Sequence, residues 1–173
     1  MQDEERIKEL FRHLKNNELN YFDEFYNLTK QSVFYMAYSI LKNSDLCEDI
    51  LQETYLKFLK HINRIHLEKS IIGYLLKISK NLSLNLLKKR SRETVMEFDN
   101  VCDNDTKEQD NFELLEKISQ ILKPQEFQIV VLHVINGLTH KEIAKITKRP
   151  LGSITWAYNN AMAKVRRELQ NED

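Results

Sequence analysis

Only three glycines and two prolines interrupt this chain, so sharp turns must be few and the regular elements between them long. Between those breakers apolar residues recur at three- and four-residue spacing, the pattern of helices that set one face against a core. The sequence therefore predicts an all-α fold. A hydrophobic fraction of 42% over 173 residues suffices for packed cores, in one ordinary domain or two small ones. No opening apolar run has the form of a signal peptide, and no stretch approaches the roughly eighteen apolar residues of a membrane span. The expected site of action is the cytoplasm, without membrane insertion. Cys47 and Cys102 stand in unrelated contexts with no CxxC spacing, so neither a disulfide framework nor a zinc site is expected.

Four helices are expected in the first half. Ile7, Leu10, Phe11 and Leu14 define the first, which Asn16 and Asn17 end. Phe22, Phe25, Thr29, Val33, Met36, Ala37, Ile40 and Leu41 stripe the second, before Asn43. Asp45 is the expected N-cap of the third, whose apolar face is Leu46, Ile50, Leu51, Tyr55, Phe58, Leu59 and Ile62. Asn63 to Lys69 is polar and irregular, and Ser70 is placed to cap a fourth helix that ends in Lys88, Lys89 and Arg90. Periodicity resumes at Phe112, Leu115, Ile118 and Leu122. Pro124 suits a first helical position, and Asn136-Gly137 is a natural stop. Thr139 and Glu142 form a capping box, and Ser153 is the expected cap of the last helix, with Ile154, Ala157, Ala161, Val165 and Leu169 inward.

A formal net charge of zero argues against a nucleic-acid partner until the charges are placed along the chain. From Lys57 to Arg92 there are ten Lys or Arg against Glu68 alone, and from Lys141 to Arg167 seven against Glu142 alone. From Glu97 to Glu113 the balance inverts, with seven acids against Lys107. Two basic blocks separated by an acidic segment predict two domains, 1–92 and 112–173, joined by a linker at 93–111.

Within the third helix Asp45, Glu48, Asp49, Gln52 and Glu53 gather on the side away from the apolar face, within about one and a half turns, so they can meet a basic partner as a strip. A solvated acidic face is the plain alternative. In the second half, two short helices with small Ala144 and a turn holding Gly152 read as a helix-turn-helix, or else as an ordinary helical hairpin. His13, His61, His66, His133 and His140 show no metal or catalytic spacing, and no nucleophile-base pair or phosphate-binding glycine loop is present. No enzyme activity, metal or cofactor is expected.

The run Asp45-Leu46-Cys47-Glu48-Asp49-Ile50-Leu51-Gln52-Glu53-Thr54-Tyr55 resembles the polymerase-binding helix of the extracytoplasmic-function (ECF) group of RNA polymerase sigma factors. Tyr74-Leu75-Leu76-Lys77-Ile78-Ser79-Lys80-Asn81 is similar to that family's W-L-y-x-I-a-r-N pattern. Leu122-Lys123-Pro124 and Gly137-Leu138-Thr139-His140-Lys141-Glu142-Ile143-Ala144 resemble its helix-turn-helix domain, in the same order and spacing. Two departures stand out. Tyr74 replaces the usual Trp, and the run from Gly152 to Ala161 lacks the basic residues of the family's recognition helix.

The resemblance implies a sigma factor with core RNA polymerase and promoter DNA as partners, an anti-sigma factor as a further one, and a monomeric role within the holoenzyme. It implies polymerase binding by Asp45, Glu48, Asp49, Gln52 and Glu53. It implies minus-ten contacts by His61, Asn63, Arg64, Ile65, Tyr74, Lys77, Lys80, Asn81 and Lys88, with Ile65 and Asn81 lining a pocket for a flipped base. The second domain would dock on a minus-thirty-five element through Lys148, Arg149, Ser153, Thr155, Trp156, Asn159, Asn160 and Arg166. There Asn159 or Asn160 can pair with adenine, Thr155 or Trp156 can touch a thymine methyl, and Lys145, Lys164 and Arg167 can join in holding phosphates. Trp156 covering a hydrophobic seam is the alternative. The acidic linker would mimic nascent RNA in polymerase's RNA path, or act as a solvated tether. Two rivals remain: a free-standing helix-turn-helix regulator, and a polymerase adaptor with weakened promoter reading.

Overall fold

The computed structural model describes residues 2–66, 70–93 and 109–171. The chain divides into two compact units, Met1–Val95 and Met96–Asp173, and every regular element among the described residues is helical.

The first unit holds α1 (Gln2–Lys15), α2 (Phe22–Leu41), α3 (Ser44–His61) and α4 (Ile71–Glu93). α2, α3 and α4 pack on one another, and α1 closes the bundle against α2. The core joins Ile7, Leu10, Phe11 and Leu14 of α1 to Phe25, Val33, Leu51, Tyr55, Phe58 and Leu75. At its centre the rings of Phe25 and Phe58 stack with centroids 5.2 Å apart, and Phe11 tilts against Phe58 at 6.0 Å. Tyr55 is buried but not orphaned: its hydroxyl lies 2.6 Å from Thr29 Oγ1, which donates to Phe25 O at 2.7 Å.

The α2–α3 connection differs from the sequence expectation. Lys42 ends α2 in the left-handed region (φ 53), and Asn43 in extended conformation caps α3, its side chain accepting from the Leu46 amide at 2.9 Å. Asp45 is therefore a first-turn residue and not the cap, which leaves its carboxylate near the positive end of the helix. Ser70 does cap α4, its hydroxyl accepting from Gly73 N at 3.1 Å, and α4 runs three residues past Arg90.

The second unit holds α5 (Gln109–Ile121), α6 (Pro124–Val130), α7 (His140–Thr147) and α8 (Leu151–Asn171). The sequence predicts one helix from Pro124 to Asn136, but after Val130 the chain widens into a π-helical stretch, Val131–Ile135. Across this junction four successive residues, Ile129, Val130, Val131 and Leu132, are all buried. Gly137 then takes φ 64, a value that favours glycine.

The Thr139–Glu142 capping box opens α7: Thr139 N donates to Glu142 Oε2 at 2.9 Å, and Glu142 N to Thr139 Oγ1 at 3.3 Å. The turn into α8 is 148–150, where Lys148 (φ 56) is left-handed and Arg149 N bonds Ala144 O at 3.0 Å. Gly152 lies inside α8, not in the turn. Ser153 is the third residue of α8, not its cap, because the helix begins at Leu151 with Ile154 N donating to Pro150 O at 3.2 Å. Ile143, Ile154, Ala157, Ala161 and Val165 are buried between the elements. The proposed inward side chain of Leu169 and the acidic segment's Glu97, Asp99, Asp103, Asp105 and Glu108 lie outside the described residues.

Candidate functional site

Because α3 buries Cys47, Ile50, Leu51, Thr54, Tyr55 and Phe58, its 3.6-residue period turns Asp45, Glu48, Asp49, Gln52 and Glu53 outward, and all five are exposed. Glu53 is partly compensated by an exposed pair with Lys57 at 2.9 Å. The strip ends in Leu56, 69% exposed, which the sequence reading missed. The phase set by Leu51, Tyr55 and Phe58 already turns Leu56 outward, so the signal was an apolar residue off the apolar face. Beneath the strip, burial pushes the Cys47 thiol up to about 12, which marks a packing residue and not a nucleophile.

On α4 the side chains Tyr74, Lys77, Asn81, Asn85, Lys88 and Arg92 fall on one stripe. Tyr74 is half-buried and the other five are exposed. Asn85 and Arg92 extend the expected set, and with Lys88 and Lys89 they line a shallow groove at the end of α4. Lys80 is half-buried off this stripe. Asn63 and Arg64 are exposed in a 3-10 turn, Ile62–Arg64, and His61 is half-buried just before it. Ile65, at 5% exposure, belongs to the core cluster, and its carbonyl accepts from Lys15 Nζ at 2.9 Å. Leu67 to Lys69 lie outside the described residues.

The face of α8 also needs correction. Asn160 turns back and donates to Glu126 Oε1 at 2.6 Å, and Lys164 Nζ meets both Glu126 oxygens at 2.8 and 2.7 Å. Glu126 is 6% exposed, so this pair ties α8 to α6 and withdraws Asn160 and Lys164 from outside contacts. Burial pushes the Glu126 carboxyl up, but the bonds from Lys164, the Lys123 amide and Asn160 outweigh it and hold the group below its ordinary value. Thr155 is also occupied: half-buried, it donates to Leu151 O at 3.2 Å and meets His140 Nδ1 at 3.2 Å. Ser153, Trp156, Asn159, Lys148 and Arg166 stay exposed, and Arg149 is half-buried. At 69% exposure Trp156 covers no seam.

Behind Thr155, the rings of His133 and His140 lie 4.8 Å apart, each against Tyr158. His140 Nε2 is buried without a hydrogen-bond partner, and burial followed by the neighbouring His133 lowers its pKa. Among the described residues no group of three or more His, Cys, Asp or Glu is arranged to hold a metal ion. Nor is any helix among them long and apolar enough to cross a membrane.

Two family models match: sigma-70 region 2 over residues 25–93 and sigma-70 region 4 over residues 112–165. The chain is 22% identical to the ECF RNA polymerase sigma factor SigW of Bacillus subtilis, over 95% of this chain and 97% of that protein. It is 25% identical to the sigma factor SigV of the same organism, over 83% and 88%. Its fold is similar to that of the sigma factor RpoE, solved with the anti-sigma factor NepR from Bartonella quintana. The TM-score there is 0.70 at 19% identity, covering 86% of this chain and 96% of that one. CnrH, solved with the cytosolic domain of CnrY, gives 0.68 at 14% identity, covering 96% and 98%.

Proposed function

This chain belongs to the sigma-70 family and is an ECF-type sigma factor that acts in transcription initiation, and from that premise we propose how its surfaces divide the work. Residues 1–92 grip core RNA polymerase and open promoter DNA, 93–111 form the linker, and 112–173 dock upstream. The observation that carries this reading is the exposed strip Asp45, Glu48, Asp49, Gln52 and Glu53, ending in Leu56, on a rigid helix. An acidic strip closed by one apolar side chain suits a basic partner surface with a small pocket, as polar rims surround apolar anchors in protein interfaces.

Promoter contact in the first unit falls to the α4 stripe. Lys77, Lys88 and Arg92 hold phosphates, and Tyr74 and Asn81 present a ring and a carboxamide to an unstacked base. Asn63, Arg64 and His61 adjoin it, and Lys80 supports it from the side. In the second unit Lys148, Arg149 and Arg166 hold phosphates around Ser153, Trp156 and Asn159. The protein works in the cytoplasm beside polymerase and contributes no chemistry of its own; polymerase makes the phosphodiester bonds. An anti-sigma protein is a further partner, by analogy with RpoE, which was solved bound to one. A second reading, a polymerase adaptor with weakened promoter reading, draws on the withdrawal of Asn160 and Lys164 into the Glu126 network.

The test is charge reversal at Asp49 and Glu53 together. Both are exposed and off the core, so the variant should keep its helical circular dichroism yet lose retention on purified core polymerase and run-off transcription. A variant that still binds core polymerase and initiates would remove the main support for this division of labour.

A further inference from the structure

The stretch of α8 from Leu151 to Ala163 has an unusual inventory. The exposed residues there are Leu151, Gly152, Ser153, Trp156, Asn159 and Ala163, and no Lys or Arg occurs between Pro150 and Lys164. Lys164 is held by the buried Glu126. Arg166 and Arg167 come ten and eleven residues after Trp156, about 15 Å along the axis, where they can reach backbone but not the same base pairs. The first acid of α8 is Glu168, farther still.

Each base pair makes a different demand in the major groove. Guanine O6 and N7 call for a cationic fork, cytosine N4 for a carboxylate, adenine N6 and N7 for a carboxamide, and the thymine methyl for an apolar contact. The exposed face of α8 offers no cationic fork and no carboxylate, only a carboxamide and an apolar contact, and the Ser153 hydroxyl, which suits any base pair, adds no preference. Of the two adjacent asparagines only Asn159 is available, because Asn160 is committed to Glu126, and Thr155 is committed to His140 and Leu151.

We propose that α8 reads a short A·T-rich element, pairing Asn159 with one adenine and setting Trp156 against a thymine methyl, with no guanine contact. This rests on the reading that residues 112–173 dock on upstream promoter DNA. Cations at both ends of the neutral face favour duplex DNA as its occupant over an apolar protein: Lys141, Lys145 and Lys148 are exposed on one side, Arg166 and Arg167 on the other.

The test uses the full chain in holoenzyme with core polymerase. A promoter library with a fixed minus-ten region and a randomised upstream segment is selected for retained complexes and sequenced. The expected element is A·T-rich. Asn159→Ala should lose preference at one base pair with about tenfold weaker retention, within the range of one bidentate contact. Replacing thymine by deoxyuracil at one position should weaken wild-type retention about fourfold, the worth of one buried methyl, and should leave Trp156→Ala unchanged. A selected element with a required G·C pair, or equal binding of thymine and deoxyuracil at every position, overturns the assignment while leaving upstream docking intact. Selection of no upstream element at all overturns the docking reading too. Unchanged DNA selection by Trp156→Ala assigns that face to a protein partner and overturns the proposal.

Discussion

Replacing Glu126 with Gln should loosen α8 from α6 without emptying space, because the two side chains are nearly the same shape. The native carboxylate accepts two bonds from Lys164 at 2.7 and 2.8 Å, one from Asn160 at 2.6 Å and one from Lys123 N at 3.1 Å. Hydrogen bonds to charged groups contribute about 1.5 to 3 kcal/mol each, and breaking a fully buried pair costs about 3 to 5 kcal/mol. Lys164 is 33% exposed and can regain water, which sets the Gln loss lower, at about 2 kcal/mol, and the Ala loss at about 3 kcal/mol. Amide hydrogen exchange of α6 and α8, followed by mass spectrometry of the full chain in rising urea, reports on this unit. With a slope of about 1 kcal/mol/M for so small a unit, Glu126→Gln should lower the midpoint by about 2 M.

Two further signatures separate this network from general destabilisation. A double-mutant cycle of Glu126→Gln with Lys164→Met should give a coupling of about 1 kcal/mol or more, against the roughly 0.3 to 0.5 kcal/mol scatter of independent sites. The folded carboxyl titrates below its ordinary 4.5, so its contribution is complete above that pH and is lost as pH falls through the folded value. The gap between wild type and Glu126→Gln should therefore narrow below about pH 4.5. Additive single changes, or a gap that persists unaltered at low pH, would refute the argument.

Asn81→Ala should leave core polymerase binding intact, since the acidic strip is on α3, and should cut open-complex formation on duplex promoter about tenfold. Permanganate footprinting of melted thymines checks it, with a pre-melted template as the rescue. Phe58→Ala removes the ring stacked on Phe25 and tilted against Phe11 and should destabilise the first unit by about 3 to 5 kcal/mol, measured by circular dichroism at 222 nm during urea titration. For His140 the folded pKa lies below the ordinary 6.5, so its contribution is complete above that value and is lost as pH falls toward the folded one. The urea midpoint of the second unit, read by hydrogen exchange of α7 and α8, should decline between pH 7 and 5.5, and decline less in His140→Gln; equal slopes would exonerate His140.

The acidic strip was legible in the sequence because spacing alone decides it: residues three and four apart on a helix share a face, whatever packs behind. The Thr139–Glu142 capping box was legible for a similar reason, since both partners lie within one turn. What failed to show depended on distant partners. Glu126 sits in a first turn after Pro124, where an acid ordinarily faces solvent beside the helix dipole, and its burial comes from Lys164, 38 residues on. Asn159 and Asn160 differ by one step of about 100° around α8, and no local rule tells which one meets Glu126. Ile65 read as a loop residue because its three-residue neighbourhood is polar, yet α1 closes over it.

The same packing explains how a chain of zero net charge can serve DNA. On the proposed reading the first unit's cations stand on the contact face itself: Lys77, Lys88 and Arg92 belong to a stripe of about 27 Å from Tyr74 to Arg92. Phosphate attraction there is sequence-blind and falls with salt, so these cations supply affinity and leave the choice of base to Tyr74 and Asn81. In the second unit the contact face is stripped of charge, since its nearest cation is neutralised inside the fold by Glu126 and the others stand at its ends. A face that attracts phosphate weakly gains little from non-specific DNA, and on the proposed reading the difference between right and wrong sequence then rests on Asn159 and Trp156. Holding such a short list of readers in register requires that α8 be fixed, and the bonds that Asn160 and Lys164 donate to the buried Glu126 tie it to α6 beside them.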